Sequence, residues 1–452
     1  MNIKNLYQGF IFSLLGAVIL FPSCLGSDNE DYEYSSDAQV YGFTATGGDY
    51  DSLSVLSKAV FAIDQLASPP KIYTKDSLAY GFEVKNAVLS INTNNALGIV
   101  LYYEDADSSF VFNSSDSVNL SRLTKITVYA NDGVTNREYA FKINTHQQDP
   151  YILVWKNIAN GYFSASPVSE QKTIALNDKF FTYYVSGGTI NALSASSTAG
   201  NPWASVSVSG LPSNTLLHSL LTATDNSVQT AYAVAADNTL YQSSDGISWN
   251  SVATSYPVEA IYGKIPSTTV DSLVVVVKDG ADLKFAKTKD FSSIRVLGTI
   301  PSGFPVRDFS ALSMQDENSY TAKYIVVAGG SDAGGTQSND TWIVQEKNGS
   351  LGALSHTTAA LSLQGCSLFA YDGKLYIFTE SGNENRLSIS KDYGLTWNTA
   401  PAKQAIPDNF PHRKYASVIT DDKNFIWIFG GTSGSSQLAD AWRGRINRLI
   451  VN

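Results

Sequence analysis

The chain has 452 residues, with 31 Lys and Arg against 41 Asp and Glu for a net charge of −10, and only four His and two Cys. Nucleic acid is not an expected partner, because phosphate affinity needs clustered Lys and Arg and no basic run occurs; so few His and Cys do not build a Cys/His metal cage. Charged residues are 16% and aromatics 12%, with 33 Gly, a balance that reads as an all-β chain of about three units.

The first element is a leader. Lys4 precedes an apolar run from Phe10 to Phe21, broken only by Ser13 and Gly16. It is too short to span a bilayer but suits a signal-peptide core. The run ends at Phe21-Pro22-Ser23-Cys24. A small residue before a Cys at the end of such a core resembles the bacterial lipobox. That resemblance implies a lipoprotein signal peptide over residues 1–23, with Cys24 acylated as the mature N-terminus. Phe21 and Pro22 depart from the preferred aliphatic and small residues, and ordinary secretory cleavage near Ser23 is the alternative. The acidic stretch Leu25–Glu33 resembles the export tag of bacteroidete surface lipoproteins; it also reads as a flexible, solvated tether over 24–35. The expected place is the outer membrane, at the cell surface, held by the lipid anchor alone.

Residues 36–147 alternate apolar segments with turn clusters, as half-buried strands do. The segments are Val40–Ala45, Gly81–Val84, Val88–Ile91, Ile99–Tyr103 and Phe110–Phe112. Leu53–Asp64 fits either a short helix or a strand. Two alternating runs, Lys125–Ala130 and Val134–Asn144, flank Asn131-Asp132-Gly133, which predicts a hairpin. It resembles the last hairpin of Ig-like and cadherin-like modules of bacterial surface proteins, which implies an Ig-like β-sandwich here. Asp105 and Asp107 read as loop solvation rather than a calcium site. The polar segment Asn144–Pro150 marks the domain boundary.

The remainder, 151–452, repeats. Leu387-Ser388-Ile389-Ser390-Lys391-Asp392-Tyr393-Gly394-Leu395-Thr396-Trp397 recurs at Leu193–Trp203, keeping Leu, Ser, Ser, Gly and Trp. It recurs one residue shorter at Leu240–Trp249 and weakly at Phe285–Phe291. Two other units carry Gly329-Gly330 before Asp340-Thr341-Trp342, and Gly430-Gly431 before Asp440-Ala441-Trp442. Anchors at Leu193, Leu240, Phe285, Trp342, Leu387 and Trp442 are 45 to 57 residues apart. Six units at that period predict a six-bladed β-propeller. Ser390, Asp392, Gly394, Thr396 and Trp397, with Asp245, Gly246 and Trp249 in the second copy, resemble the Asp-box. The Gly-Gly units resemble kelch repeats. The resemblance implies structural roles: Asp accepts backbone N–H bonds in the turn between strands three and four, Gly takes φ > 0, and Trp packs between blades. Val154–Ile158 matches the strand that follows these boxes, yet no box precedes it. It is therefore expected to supply the outer strand of the last blade and lock the ring. A sandwich-like unit, a linker and then a propeller together resemble an uncharacterised family of bacteroidete surface lipoproteins.

Chemistry is harder to find. The Arg-Ile-Pro element of sialidases is absent, as are paired copper-type His and a Gly-Lys-Ser/Thr phosphate loop. No carboxylate pair for glycoside hydrolysis stands out. Cys366 reads as an inert buried thiol, and no cofactor is expected. The candidate ligand residues are Arg307, Arg413 and His412, placed at the channel mouth before innermost strands. The arginines either grip a carboxylate or acidic glycan, or pair with carboxylates and carbonyls to hold the blades. The expected role is non-catalytic binding of a glycan or another surface protein; the rival is a carbohydrate-active enzyme, which a dense carboxylate or Arg/His cluster at the channel mouth would favour.

Overall fold

The predicted turn clusters separate short strands along nearly the whole described chain. A computed structural model describes residues 33–47, 54–104, 108–163, 168–265, 272–315, 323–347, 349–357 and 361–449. The signal peptide, Cys24, most of the tether, Asp105 and Asp107 lie outside the described residues. The chain divides between Gln147 and Gln148 into two units.

The first unit has two sheets. Val40–Gly47, Ala87–Thr93 and Ser117–Val118 form one. The other has six strands in the order Phe61–Asp64, Lys71–Thr74, Asn136–Lys142, Leu123–Tyr129, Gly98–Tyr103 and Ser109–Val111. The pairing of Lys71–Thr74 with Asn136–Lys142 is parallel. Val40, Leu56, Ile72, Leu101, Ile126 and Val128 share a single buried core across both sheets, the arrangement of a sandwich. The predicted hairpin forms, with Tyr129 opposite Asn136. Asp132 Oδ1 accepts the N–H groups of Val134 (2.9 Å) and Thr135 (2.8 Å), and Gly133 takes φ +71°. Leu53–Asp64 contains both alternatives, a helix over Ser54–Lys58 and then a strand over Phe61–Asp64. Gly81–Val84 is a correction: it joins no sheet. Its buried Val84 instead donates its N–H to Ser121 Oγ (2.7 Å) and accepts the Ser121 N–H, which satisfies the backbone without a ladder.

The second unit is a six-bladed propeller of four-stranded antiparallel sheets. Blades one to five open with innermost strands Val168–Leu176, Leu221–Asp225, Val258–Ile265, Ser310–Gln315 and Ser362–Tyr371. Blade six takes Ser417–Thr420, Ile426–Phe429 and Asp440–Ile446 from the end of the chain, and its outermost strand, Leu153–Asn160, from the beginning. The predicted clasp is therefore present, with Trp155 opposite Gly444 and Asn157 opposite Trp442. Gly444 is required there, since a Cβ would come 2.7 Å from the Trp155 ring. The six anchors all fall on third strands. The propeller core splits into six apolar clusters, one between each pair of adjacent blades. Each inner strand neighbours the next, with blade six against blade one. Burial between blades, rather than within one sheet, makes the ring the unit of stability.

Candidate functional site

The Ser243–Gly246 and Ser390–Gly394 segments fill the turns between third and fourth strands. Ser243 Oγ donates to Asp245 Oδ1 (2.9 Å), and the same oxygen accepts the N–H groups of Ile247 and Ser248, each at 2.7 Å. The Ser248 N–H leads in holding the Asp245 carboxyl down at about 2; burial opposes it, and the Ile247 N–H and Ser243 hydroxyl add to it. Asp392 repeats the pattern: its carboxylate accepts Ser390 Oγ (2.8 Å), the Thr396 N–H (2.8 Å) and Thr396 Oγ1 (2.6 Å). Gly246 and Gly394 take φ +74° and +91°. Trp249 is buried between blades one and two, edge-on to Tyr183; Trp397 packs between blades four and five and donates Nε1–H to Gly394 O. Both carboxylates are thus occupied by their own turns.

The double glycines fix the frame of the arginines. A Cβ on Gly431 would lie 2.6 Å from Lys414 O, and one on Gly330 would collide with Arg307 O. The bridge Arg307–Ser331 in blade four matches Lys414–Thr432 in blade six. Arg307 is therefore equivalent to Lys414, and Arg413 to Val306, one residue earlier. The expectation that the two arginines share a position is corrected by that one-residue shift, which turns a side chain from the channel into the blade.

Arg413 is fully buried. It donates to Pro411 O (2.9 Å), Gly430 O (2.8 Å) and both oxygens of Asp440 (2.6 and 2.7 Å), with Phe410 stacked at 4.2 Å. Its assignment as a ligand residue is corrected: every direction its fork can reach is filled. Arg307 is a quarter exposed but pairs with the buried Glu259 and donates to Glu259 O (2.9 Å) and Val306 O (3.1 Å). His412 Nε2 sits 3.0 Å from Glu380, whose other oxygen takes Lys414 at 2.6 Å. None of the three nominated residues lines the channel-mouth cavity.

That cavity, of about 310 Å³, lies among the starts of the inner strands of blades one, four, five and six and the turn before blade two. Glu170 and Lys172 enter it two residues apart on one strand, hence from one face. Gln171 between them bonds to Gly431 O (3.2 Å), Leu438 O and Gln437 (2.8 Å each), tying blade one to blade six. His218 Nδ1 is 3.2 Å from Asp308 Oδ1 and 4.0 Å from Glu170 Oε1, and its backbone N–H donates to Glu170 (3.3 Å). Asp308 and Tyr415 hold φ of +52° and +55°, left-handed positions that non-glycine residues rarely take. Burial raises the Glu170 carboxyl above its usual range, and burial lowers the Lys172 ammonium. Burial foremost holds His218 down at about 4, with the charges of Arg307 and Lys172 adding to it and Asp308 opposing, so the imidazole is neutral at pH 7. Burial likewise pushes the Cys366 thiol on the cavity wall to about 12. Among the described residues, no three His, Cys, Asp or Glu converge on a metal position.

A family model described as the DUF6242 beta propeller domain matches residues 149–452. A second, described as the domain of unknown function (DUF6242) N-terminal domain, matches residues 35–143. No curated protein matches the chain. Among solved structures, a DUF4623 family protein from Bacteroides eggerthii shares 9% identity at a TM-score of 0.41, covering 90% of this chain and 98% of that one. YjhT shares 10% at 0.39, covering 62% and 96%. A mutant of the Aleuria aurantia lectin in complex with alpha-methyl-L-fucoside shares 13% at 0.37, covering 65% and 99%.

Proposed function

The chain belongs to the DUF6242 family, and on that footing we propose that its propeller binds a saccharide at the channel mouth, on a bacterial surface lipoprotein anchored through Cys24. The observation that carries this reading is the composition of the 310 Å³ cavity. Its volume is at the small end of ligand pockets. Glu170 and Asp308 only accept hydrogen bonds when ionised, Lys172 only donates, and Tyr415, Ser310 and Ser367 do both. A sugar offers hydroxyls that donate and accept in turn, so a mixed lining of this kind can pair all of them. The lipobox-like segment supports the anchor, and the acidic residues behind it support an outward-facing position in a bacteroidete envelope.

The test is a glycan screen on the full chain in detergent, beside Asp308→Asn and His218→Ala. Saturable binding lost in both variants supports the reading; equal binding in all three sinks it. Acylation is checked separately by metabolic labelling with an alkynyl fatty acid, which Cys24→Ala should abolish.

One observation favours an enzyme as the second reading. Glu170 has a raised carboxyl pKa while sharing His218 with Asp308. A carboxyl held toward its neutral form near a second carboxylate is the arrangement of acid and base in glycoside hydrolysis. Product release from a bound oligosaccharide, lost in Glu170→Gln, would establish it.

A further inference from the structure

We infer that the crevice between blades six and one, toward the end of the ring opposite the channel mouth, binds a phosphate- or sulfate-type oxyanion through Arg443, Arg445 and Lys156. This site is separate from the proposed saccharide cavity and does not depend on it. Strand register collects the three cations. Lys156 lies opposite Arg443 and Val154 opposite Arg445, while Trp427 flanks Arg443 on the other side. Directly opposed residues share a face. Trp427 and Phe425 set this face against blade one, beside Phe180 and Ala175. The Phe425 ring lies 4.2 Å from the Arg443 guanidinium and 4.1 Å from that of Arg445, and the Trp427 ring 5.1 Å from Arg443. The rings hold both arginines through their quadrupoles, which cancel none of the positive charge. Stacking also leaves the in-plane N–H fork of each guanidinium for an acceptor.

Little in the crevice competes for those donors. Among the described residues, the side chains of Arg445 and Lys156 form neither an ion pair nor a hydrogen bond, and Arg443 donates only to Thr198 O (3.3 Å). The carboxylate whose charge reaches Arg443 is Asp421. Its oxygens already accept the Trp427 Nε1–H (2.8 Å) and the N–H groups of Phe425 (2.8 Å) and Lys423 (3.0 Å). Asp422 and Lys423, both exposed in the same turn, cancel in charge. Three cations thus face one committed carboxylate, on a chain of net charge −10. Burial foremost lowers the Arg443 guanidinium, Asp421 opposes this, and the Arg445 charge adds to it; an oxyanion between the arginines would relieve their repulsion. The blade-one turn keeps the crevice positive as well. Thr198 stands where the box of blade five has Asp392, so the carboxylate that a full box would bring beside Arg443 is missing. The same turn runs on to Asn201, which lines a cavity of about 400 Å³ with Asn157 and Asn160 of the outermost strand. Lys156 precedes Asn157, so a polar body carrying the oxyanion has room there, among amides that both donate and accept.

A free oxyanion and one carried on a sugar share this chemistry, and the assay separates them. The full chain in detergent is titrated calorimetrically with inorganic phosphate, inorganic sulfate, glucose 6-phosphate and glucose. At least one oxyanion should saturate a single site, with an affinity that falls as salt rises. Glucose 6-phosphate bound tighter than inorganic phosphate assigns the asparagine-lined cavity to a sugar body; equal affinities assign the site to the free ion. Arg445→Gln and Lys156→Gln should each weaken binding about tenfold. Thr198→Asp, which supplies the box carboxylate, should weaken it too and leave the propeller folded. These variants carry the test because replacing Arg443 would also disturb the packing on Trp427. Glucose reports saccharide binding at the mouth, which Arg445→Gln should leave intact. No saturable binding of any oxyanion overturns the inference, and so does an affinity that Arg445→Gln and Lys156→Gln both leave unchanged. Neither result bears on the saccharide site.

Discussion

Replacing Arg413 by Met separates a structural arginine from a binding one. The side chain is fully buried, and its removal orphans two carbonyls, Pro411 O and Gly430 O, together with the Asp440 carboxylate. Asp440 would keep only the Trp442 Nε1–H bond at 2.9 Å. Breaking a buried pair by deleting one partner costs about 3–5 kcal/mol. For a propeller of this size each kcal/mol lowers Tm by about 1.5–2 °C, so the loss should be about 5–10 °C. Differential scanning calorimetry on the full chain reads it directly, with urea unfolding as a check on the slope. The double variant Arg413→Met, Asp440→Leu should recover part of the loss, because it removes the stranded charge. A loss below about 1 kcal/mol, the range of an exposed ion pair, would refute the argument. So would a saccharide affinity that collapses in Arg413→Met at a temperature where the variant is folded.

Three further outcomes follow from the same geometry. Gly431→Ala, at φ +98° and with Lys414 O 2.6 Å from the new Cβ, should lose about 1–3 kcal/mol in urea unfolding, whereas Gly434→Ala, with open space around it, should lose less. Asp245 is held down at about 2 in the fold against about 3.8 unfolded, so its contribution is complete above pH 4 and fades as pH falls toward 2; Asp245→Asn should flatten that limb of the stability curve. His218 is held down at about 4, so the unfolded chain binds its proton first and stability declines as pH falls from about 6.5 toward 4. An NMR titration of His218 should show no protonation at pH 6, and Asp308→Asn should lower its pKa further, since the Asp308 charge opposes the shift.

Architecture was legible because it depends on local repetition. The box-like copies and the two Gly-Gly…Asp-x-Trp units together place the six third strands, and Trp155 without a preceding box betrays the borrowed strand. The candidate site was not legible, for a geometric reason. Glu170, Lys172, His218 and Asp308 come from three separate stretches and meet only when the ring closes. The one local signal was the charge alternation Glu170-Gln171-Lys172, which lies in the innermost strand of blade one, where such residues are out of place unless they face a channel. Arg307 and Arg413 misled because spacing counts residues and not register. Only the contact of each double glycine with the preceding backbone shows which residues correspond.

The strand Leu153–Asn160 is made at the start of the propeller, and its partner Asp440–Ile446 nearly three hundred residues later. Until the last stretch emerges, the growing molecule is an arc with a bare strand edge at each end, five blades and no sixth. Those edges are templates for pairing with other chains. Folding of the ring is consequently tied to completion of synthesis. A stop codon shortly before Asp440 would therefore endanger the whole propeller rather than trim one blade.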